Sequence, residues 1–197
     1  MKANRVFAEF ARRLKEARDI FQPWKGTIYR VSTLKYGGAR SFLFGEGSYR
    51  YGGRWNSPGS FRAVYGSVDA IIALKESEAN AAYANLPYPF RETRLIVALE
   101  VSLARVLDLT SPEVLNLLGV SKEELRKEDW RKVQEQGFES LTQALGRAAF
   151  QAKGEGLRTF SARVPKGINV AYFPQNKLRG STVRLWEAQE LRAWGLE

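Results

Sequence analysis

The order of strand-like and helix-like segments constrains the fold of this 197-residue chain more than any other feature of its sequence. The strongest strand pattern is the apolar run at residues 94–101. Helical segments separate some strands but not others, so the regular strand–helix alternation of a doubly wound sheet is missing. The sequence therefore predicts a single mixed α+β domain. Shorter strand patterns lie at residues 27–32, 62–65, 106–109, 157–161, 169–173 and 182–186.

The first segment of the chain is predicted to be a helix. Residues 2–19 have apolar residues at helical spacing with arginines and lysines among them, and residues 21–26 are expected to end the helix. We therefore divide the chain into an N-terminal amphipathic helix, residues 1–22, packed on the domain, and the domain itself, residues 23–197. A contact between this basic helix and nucleic acid or a partner protein stays open as an alternative.

Further helices are expected between the strands. Ser67 is the predicted N-cap of a helix at residues 68–84, which Pro87 and Pro89 would end. The other predicted elements are short helices capped by Ser111 and Ser121, a longer helix at residues 141–153 and a glycine-rich loop at residues 35–47.

The composition narrows the chemistry. Lys+Arg is 31 and Asp+Glu is 21, so the formal net charge of 31 − 21 = +10 favours nucleic acid, a phosphorylated small molecule or an acidic protein as partner. Without cysteine there is no disulfide or thiolate chemistry, and without histidine there is no histidine-based relay and no HExxH zinc site. We therefore expect no metal site. The sequence also holds no long apolar run and no signal-peptide pattern, so we expect a cytoplasmic protein with no membrane contact.

The stretch YGGRWNSPG at residues 51–59 is the most informative local motif. Glycines allow a ligand to approach the backbone closely. Arg54 offers a planar fork of donors for carboxylate or phosphate, Trp55 a flat apolar surface, and Asn56 both a donor and an acceptor. These parts predict a loop that holds a planar, anionic ligand. A tight hairpin turn with an incidental arginine is the alternative.

Four residues outside this motif are candidates for chemistry. Arg30 lies in a predicted strand, where it is either an edge residue facing water or a buried ligand for an anion. Tyr65 is either a core residue or a stacking surface, and Glu76 is either a solvated helix residue or a functional carboxylate. Ser161 places a hydroxyl at the end of a predicted strand, two residues before Arg163.

Taken together, these pieces resemble the RES-domain family, which comprises toxins of bacterial toxin–antitoxin pairs. The resemblance extends over about residues 24–190. Two departures from the family pattern are Lys75, at a position that is usually apolar, and Phe160, where a proline more usually precedes the serine. The matching pieces are Tyr29-Arg30, Gly52-Gly53-Arg54-Trp55-Asn56, Tyr65, Ala73-Leu74-Lys75-Glu76, and residues 156–163 with Asn169.

The resemblance implies a fold and an activity. The fold would be similar to that of ADP-ribosyltransferases, with a mixed sheet split around a nicotinamide cleft. The activity would be cleavage of the nicotinamide–ribose bond of NAD+, with ADP-ribose passed to water or to inorganic phosphate. NAD+ would be a substrate, phosphate a co-substrate, and no cofactor would be needed. The partner implied is an Xre-type antitoxin with a helix-turn-helix domain, which would block the site.

The resemblance also implies roles for individual residues. Arg30 and Arg54 would contact the phosphates or ribose, and Tyr65 would stack on the nicotinamide or its ribose. Glu76 would bond a ribose hydroxyl and offset the developing positive charge, and Ser161 would help to place it. Further substrate contacts are expected at Tyr29, Gly53, Trp55 and Asn56.

Two other function classes stay open at the level of the sequence. An ADP-ribosyltransferase that modifies a macromolecule would use the same residues and differ only in its acceptor. A nucleic-acid-binding module would use the positive charge and the aromatic side chains, but the basic residues are spread along the chain and no RNA- or DNA-binding signature occurs. We therefore expect contact with DNA only through the antitoxin.

Overall fold

The computed structural model describes residues 1–33, 38–83 and 94–186, which fold around one six-stranded mixed sheet. The α-helices are α1 (Phe7–Glu16), α2 (Ala39–Phe44), α3 (Glu46–Tyr51), α4 (Ala70–Tyr83), α5 (Pro112–Leu118), α6 (Lys122–Lys127), α7 (Trp130–Glu135) and α8 (Leu141–Gln151). The strands are β1 (Phe21–Thr33), β2 (Val64–Ser67), β3 (Arg94–Asp108), β4 (Gly156–Phe160), β5 (Ile168–Tyr172) and β6 (Thr182–Leu185). The predicted α+β class is confirmed.

The N-terminal helix is confirmed but is shorter than predicted. Helix α1 buries Phe10 and Leu14 in the core that it shares with α8. The segment expected to end the helix is instead the beginning of β1, which starts at Phe21 after a 3-10 turn. Pro23 lies where the pairing of β1 with β3 shifts register, between Gln22 and Trp24. A proline is tolerated at such an irregularity because it has no N–H to contribute to the ladder.

The longest pairing in the sheet joins β1 and β3. The two strands run antiparallel from Phe21 opposite Leu107 to Thr33 opposite Arg94. Strand β3 merges the two strands predicted at residues 94–101 and 106–109, because Ser102 and Leu103 continue the pairing with β1 and the ladder resumes at Val106 after a register shift. A local sequence pattern cannot show this pairing, because the partner strand β1 lies about 75 residues earlier in the chain.

The sheet is divided into two halves that meet at two junctions. One half is β1, β3 and β6, and the other is β2, β5 and β4. At one junction the end of β3 pairs in parallel with β4, and at the other β1 touches β2 through the single pair Tyr29 and Ser67. The pairings therefore form a closed circuit of strands. One hydrophobic cluster lies against α1, α5 and α8, and a second lies between the two halves of the sheet.

Several local predictions differ from the structure. The predicted loop at residues 35–47 contains helix α2 and the start of α3, with residues 34–37 outside the described chain. Helix α4 begins later than predicted because Asp69, rather than Ser67, accepts hydrogen bonds from the first free N–H groups, those of Ile71 and Ile72. Residue 84 and the two prolines expected to end that helix lie outside the described residues. The predicted caps at Ser111 and Ser121 and the helix near 141–153 are confirmed.

In the described ranges, no helix is both long and apolar enough to cross a lipid bilayer.

Candidate active site

The floor of the site is a row of side chains across four neighbouring strands. Tyr29 of β1 pairs with Ser67 of β2, Ser67 with Asn169 of β5, and Asn169 with Thr159 of β4. Directly paired residues in antiparallel strands project to the same face of a sheet. The row therefore sets polar side chains next to one another where the two halves of the sheet meet.

The glycine-rich loop forms one wall of the site. Gly52 has a φ of 77°, which favours glycine. A Cβ on Gly53 would lie 2.5 Å from the Tyr65 hydroxyl, so the absence of a side chain at residue 53 lets Tyr65 approach the loop backbone. The Tyr65 hydroxyl accepts a hydrogen bond from Trp55 N at 2.9 Å and donates one to Asn56 Oδ1 at 2.7 Å. These contacts fix the loop on β2.

Asn56 and Trp55 lie in different surroundings from those predicted. Asn56 is fully buried, and its amide donates to the carbonyls of Ser48 and Phe61 while its oxygen accepts from Tyr65. The Asn56 side chain thus supports the loop from behind the cavity wall, and the predicted substrate contact by Asn56 stays a prediction. Trp55 borders the cavity, but its side chain is only 2% exposed and packs in the core instead of offering a flat surface to a ligand.

Tyr65 lines the cavity with its hydroxyl turned away into the loop. Burial raises the pKa of this hydroxyl, so it stays protonated and does not act as a base. What Tyr65 offers to a ligand is therefore its ring, as the predicted stacking role requires.

Glu76 is held in place by two neutral donors. It lies on α4, and its Oε1 accepts hydrogen bonds from Ser161 Oγ at 2.6 Å and from Asn169 Nδ2 at 2.9 Å. Asn169 is oriented in turn by Ser67 Oγ, which donates to its Oδ1 at 2.7 Å. Within the described chain no hydrogen bond reaches Glu76 Oε2. The carboxylate is therefore oriented through one oxygen and has the other available to a ligand.

Ser161 is a buried support for Glu76. Its Oγ accepts from the backbone N–H groups of Arg163 at 3.1 Å and Val164 at 2.9 Å. These two contacts occupy the lone pairs of the hydroxyl, so its proton points to Glu76. Ser161 is 1% exposed, and it therefore reaches a ligand through Glu76 rather than by direct contact.

Arg30 and Arg54 present positive charge to the cavity. The Arg30 guanidinium donates to the carbonyl of Phe42, and burial lowers its pKa to about 10, which still leaves it protonated at neutral pH. Nη1 of Arg54 donates to the carbonyl of Leu125 at 2.8 Å and that of Glu128 at 3.3 Å. Burial also lowers the pKa of Arg54. Neither arginine forms a salt bridge to a carboxylate in the parts of the chain that the structure describes.

These side chains meet in one cavity of about 350 Å³. Arg30, Arg54 and Glu76 all line it, so the convergence expected from the sequence is observed. Tyr29 and Gly53 also line it, whereas Ser161 and Asn56 stand behind its wall. The roles of these residues toward a substrate stay predictions. In the described ranges, no three acidic, histidine or cysteine side chains are grouped as a metal site would require.

Sequence reasoning gave no role to four further polar residues of the site. Asn169 was noted only as part of the family pattern, and Arg163 only as a neighbour of Ser161. Asn80 and Arg131 also line the cavity, and the Arg131 guanidinium donates to Asn80 Oδ1 at 2.5 Å. The position of Asn80 one helical turn after Glu76 could have indicated it. No local signal connects Arg131, on α7, with the site.

The chain is similar to known proteins in both sequence and structure. Residues 27–194 match the RES domain family. Relatives from Mycobacterium bovis and Mycobacterium tuberculosis, each named NAD(+) phosphorylase MbcT, are 32% identical over 136 residues. That alignment covers 68% of this chain and 66% of the relatives' length.

The structural similarity extends further. The crystal structure of the M. tuberculosis MbcT–MbcA toxin–antitoxin complex includes a chain that superposes with a TM-score of 0.68 at 26% identity. The superposition covers 93% of this chain and 97% of that one. Because the family match takes in most of the chain, including Arg30, Arg54 and Glu76, the protein belongs to the RES-domain family.

Proposed function

We propose that this protein is the toxin of a type II toxin–antitoxin pair and that it depletes NAD+ by phosphorolysis of the nicotinamide–ribose bond. The observation that carries the proposal is Glu76, which is oriented through Oε1 by Ser161 and Asn169 in a cavity that arginines also line. The relatives named NAD(+) phosphorylase support phosphate rather than water as the acceptor.

Substrate binding is assigned to the positive and aromatic parts of the cavity. Arg30 and Arg54 bind the diphosphate, since a guanidinium can donate two parallel, charge-assisted hydrogen bonds to phosphate oxygens. The rings of Tyr29 and Tyr65 lie against the nicotinamide riboside. Because both arginines are partly withdrawn from water, their attraction to an anion is stronger than at an open surface.

Catalysis is assigned to the carboxylate of Glu76. Cleavage of the bond places positive charge on the ribose, and a fixed negative charge beside it lowers the barrier. Glu76 Oε2 is also free to accept from a ribose hydroxyl. The nicotinamide ring already carries a positive charge and departs neutral, so the reaction needs no general acid. A chain without histidine can therefore perform it, and we propose that it uses no cofactor.

The partner and the place of action belong to the same proposal. The solved relative is a toxin–antitoxin complex, which supports an antitoxin partner for this protein as well. We assign that partner to the Xre type, with a helix-turn-helix domain, and expect an acidic surface on it because this chain carries a net charge of +10. The reaction draws on the NAD+ of the cytoplasm.

The test is an analysis of products with the purified protein. NAD+ is incubated with and without inorganic phosphate, and the products are separated by chromatography and identified by mass. We expect nicotinamide and ADP-ribose 1″-phosphate in the presence of phosphate. ADP-ribose as the main product under both conditions would change the assignment to a glycohydrolase. Label transferred from NAD+ to a macromolecule of a cell extract would favour an ADP-ribosyltransferase, and unconsumed NAD+ would refute the proposal.

A further inference from the structure

Arg131 and Arg163 line the cavity but have no part in the roles assigned so far. Neither forms a salt bridge with a carboxylate among residues 1–33, 38–83 and 94–186. Arg163 is exposed, and its guanidinium makes no hydrogen bond in those ranges. An arginine that faces a cavity without a paired carboxylate is suited to bind an anionic ligand.

Arg131 is held in place by neutral groups. Its guanidinium lies 4.3 Å from the ring centre of Trp130 and 4.7 Å from that of Tyr83, and it donates to Asn80 Oδ1 at 2.5 Å. These contacts orient the group without neutralising its charge. Burial lowers the pKa of Arg131 and the nearby charge of Arg163 lowers it further, while the more weakly acting charges of Asp129 and Glu76 raise it. Two like charges held near each other form a site that an anion would stabilise.

Both arginines are tied to residues that lie beside Glu76. Asn80, the partner of Arg131, follows Glu76 by one turn of α4, which places the two side chains roughly 6 Å apart on one face. Arg163 comes two residues after Ser161, which donates to Glu76. The two guanidinium groups are thus connected to the surroundings of Glu76 through two different segments, Arg131 through Asn80 of α4 and Arg163 through the segment that follows β4.

The charge in the cavity exceeds what NAD+ requires. Among the described lining residues the charged groups are four arginines and one glutamate, a balance of 4 − 1 = +3; the arginines are Arg30, Arg54, Arg131 and Arg163. The diphosphate is doubly negative and the nicotinamide ring singly positive, so NAD+ offsets about one of these charges. The remaining surplus, about two, corresponds to a phosphate dianion.

We infer that Arg131 and Arg163 form the subsite that binds the acceptor phosphate, an inference that rests on the proposed function. An oxygen of the phosphate dianion forms the bond to C1″ of the ribose. The bond between C1″ and the nicotinamide nitrogen breaks, its electron pair stays on that nitrogen, and neutral nicotinamide departs. No proton has to be removed from the dianion before it attacks. Because Glu76 repels phosphate, positive groups beside it are needed to bring the two anions together.

The experiment compares single arginine variants. The exposed Arg163 has no side-chain hydrogen bond in the described chain, so Arg163→Gln leaves the packing intact. Arg131→Gln removes the second charge, and Arg131→Lys keeps it. Arg179→Gln is the matched control, because Arg179 is exposed and does not line the cavity. Initial rates are measured against phosphate at saturating NAD+, and then against NAD+ at saturating phosphate.

We expect Arg163→Gln and Arg131→Gln each to raise the KM for phosphate about tenfold or more, as loss of a charge-assisted hydrogen bond does. The KM for NAD+ should change less than about twofold in each of them. Arg131→Lys should recover part of the phosphate affinity, and Arg179→Gln should alter neither constant.

Two results would overturn the inference while leaving the proposed function intact. In the first, the wild type produces ADP-ribose 1″-phosphate but the KM for phosphate is unchanged in Arg163→Gln and Arg131→Gln. In the second, the two variants raise the KM for NAD+ instead of the KM for phosphate, which would make these arginines ligands of the diphosphate. A wild type that consumes no NAD+ would refute the proposed function as well, and that control is measured first.

Discussion

At the scale of single residues, the orientation of one carboxylate decides what the cavity can do. Glu76 is oriented by a serine and an asparagine rather than by an arginine. A neutral support keeps the full negative charge of Glu76 directed to the cavity, whereas a salt bridge would compensate it. The nearby guanidinium groups stay available for a substrate for the same reason.

The first prediction concerns the charge of Glu76. Glu76→Gln keeps the size of the side chain and removes the charge that offsets the developing cation. We expect NAD+ consumption to fall about 100-fold, which corresponds to about 3 kcal/mol of lost stabilisation in the transition state. The measurement is kcat at saturating NAD+ and phosphate, with a circular dichroism spectrum to check the fold. Near-normal turnover would remove Glu76 from catalysis.

The second prediction separates positioning from substrate contact. Ser161→Ala removes the 2.6 Å hydrogen bond to Glu76, so kcat should fall about tenfold while the KM for NAD+ changes little. Ser60→Ala is the control, because the exposed hydroxyl of Ser60 bonds only the carbonyl of Ser57 in the described chain. If the KM for NAD+ rose and kcat stayed constant, Ser161 would be a ligand of the substrate instead.

At the scale of elements, the glycine-rich loop and β2 form one unit. The loop depends on Tyr65 of β2, whose hydroxyl joins Trp55 N and Asn56 Oδ1. Helix α4 follows β2 after the Asp69 cap and delivers Glu76 to the same cavity. A change in the loop is therefore transmitted to the position of the Tyr65 ring.

The third prediction tests this unit with a pair of glycine substitutions. Gly53→Ala places a methyl group 2.5 Å from the Tyr65 hydroxyl and 2.8 Å from its ring. We expect a loss of about 1–3 kcal/mol in the free energy of unfolding and a higher KM for NAD+. Gly47→Ala, in α3, is the control, because in the described chain no atom beyond its chain neighbours and its own helix backbone lies within 4 Å of the new methyl group. Equal melting temperatures for the two variants would show that the contact between Tyr65 and the loop does not require glycine at residue 53.

At the scale of the whole molecule, the net charge of +10 acts on association rather than on the fold. Part of that charge lines the cavity as arginines, where the proposed function assigns it to the substrate. The proposed acidic antitoxin would be attracted by this net positive charge.

The fourth prediction follows from this long-range attraction. The rate of association between this protein and the proposed antitoxin should fall about tenfold or more as the salt concentration rises from roughly 0.05 to 0.5 M, with a smaller change in the rate of dissociation. Stopped-flow fluorescence with a dye-labelled antitoxin would measure both rates. An association rate that does not depend on salt would show that charge steering is absent.

Short-range patterns in the sequence were sufficient to predict several helices and most strands of this protein. The serine caps at Ser111 and Ser121, the α8 segment and most strands were predicted because short-range spacing and capping determine them. The absence of histidine and cysteine excluded whole classes of chemistry. Arg54 was identified through the glycine-rich motif, and Arg30 and Glu76 through the resemblance to the RES-domain family.

The tertiary structure alone decided how those residues are used. Glu76 bonds Ser161 and Asn169, which are 85 and 93 residues away in the chain. Asn56 turns into the core, β3 continues through an interruption in its pattern, and Arg131 reaches the cavity from α7. Each of these outcomes depends on strand register or on the packing of distant segments. A sequence pattern describes a residue's neighbours in the chain, whereas these roles are set by its neighbours in space.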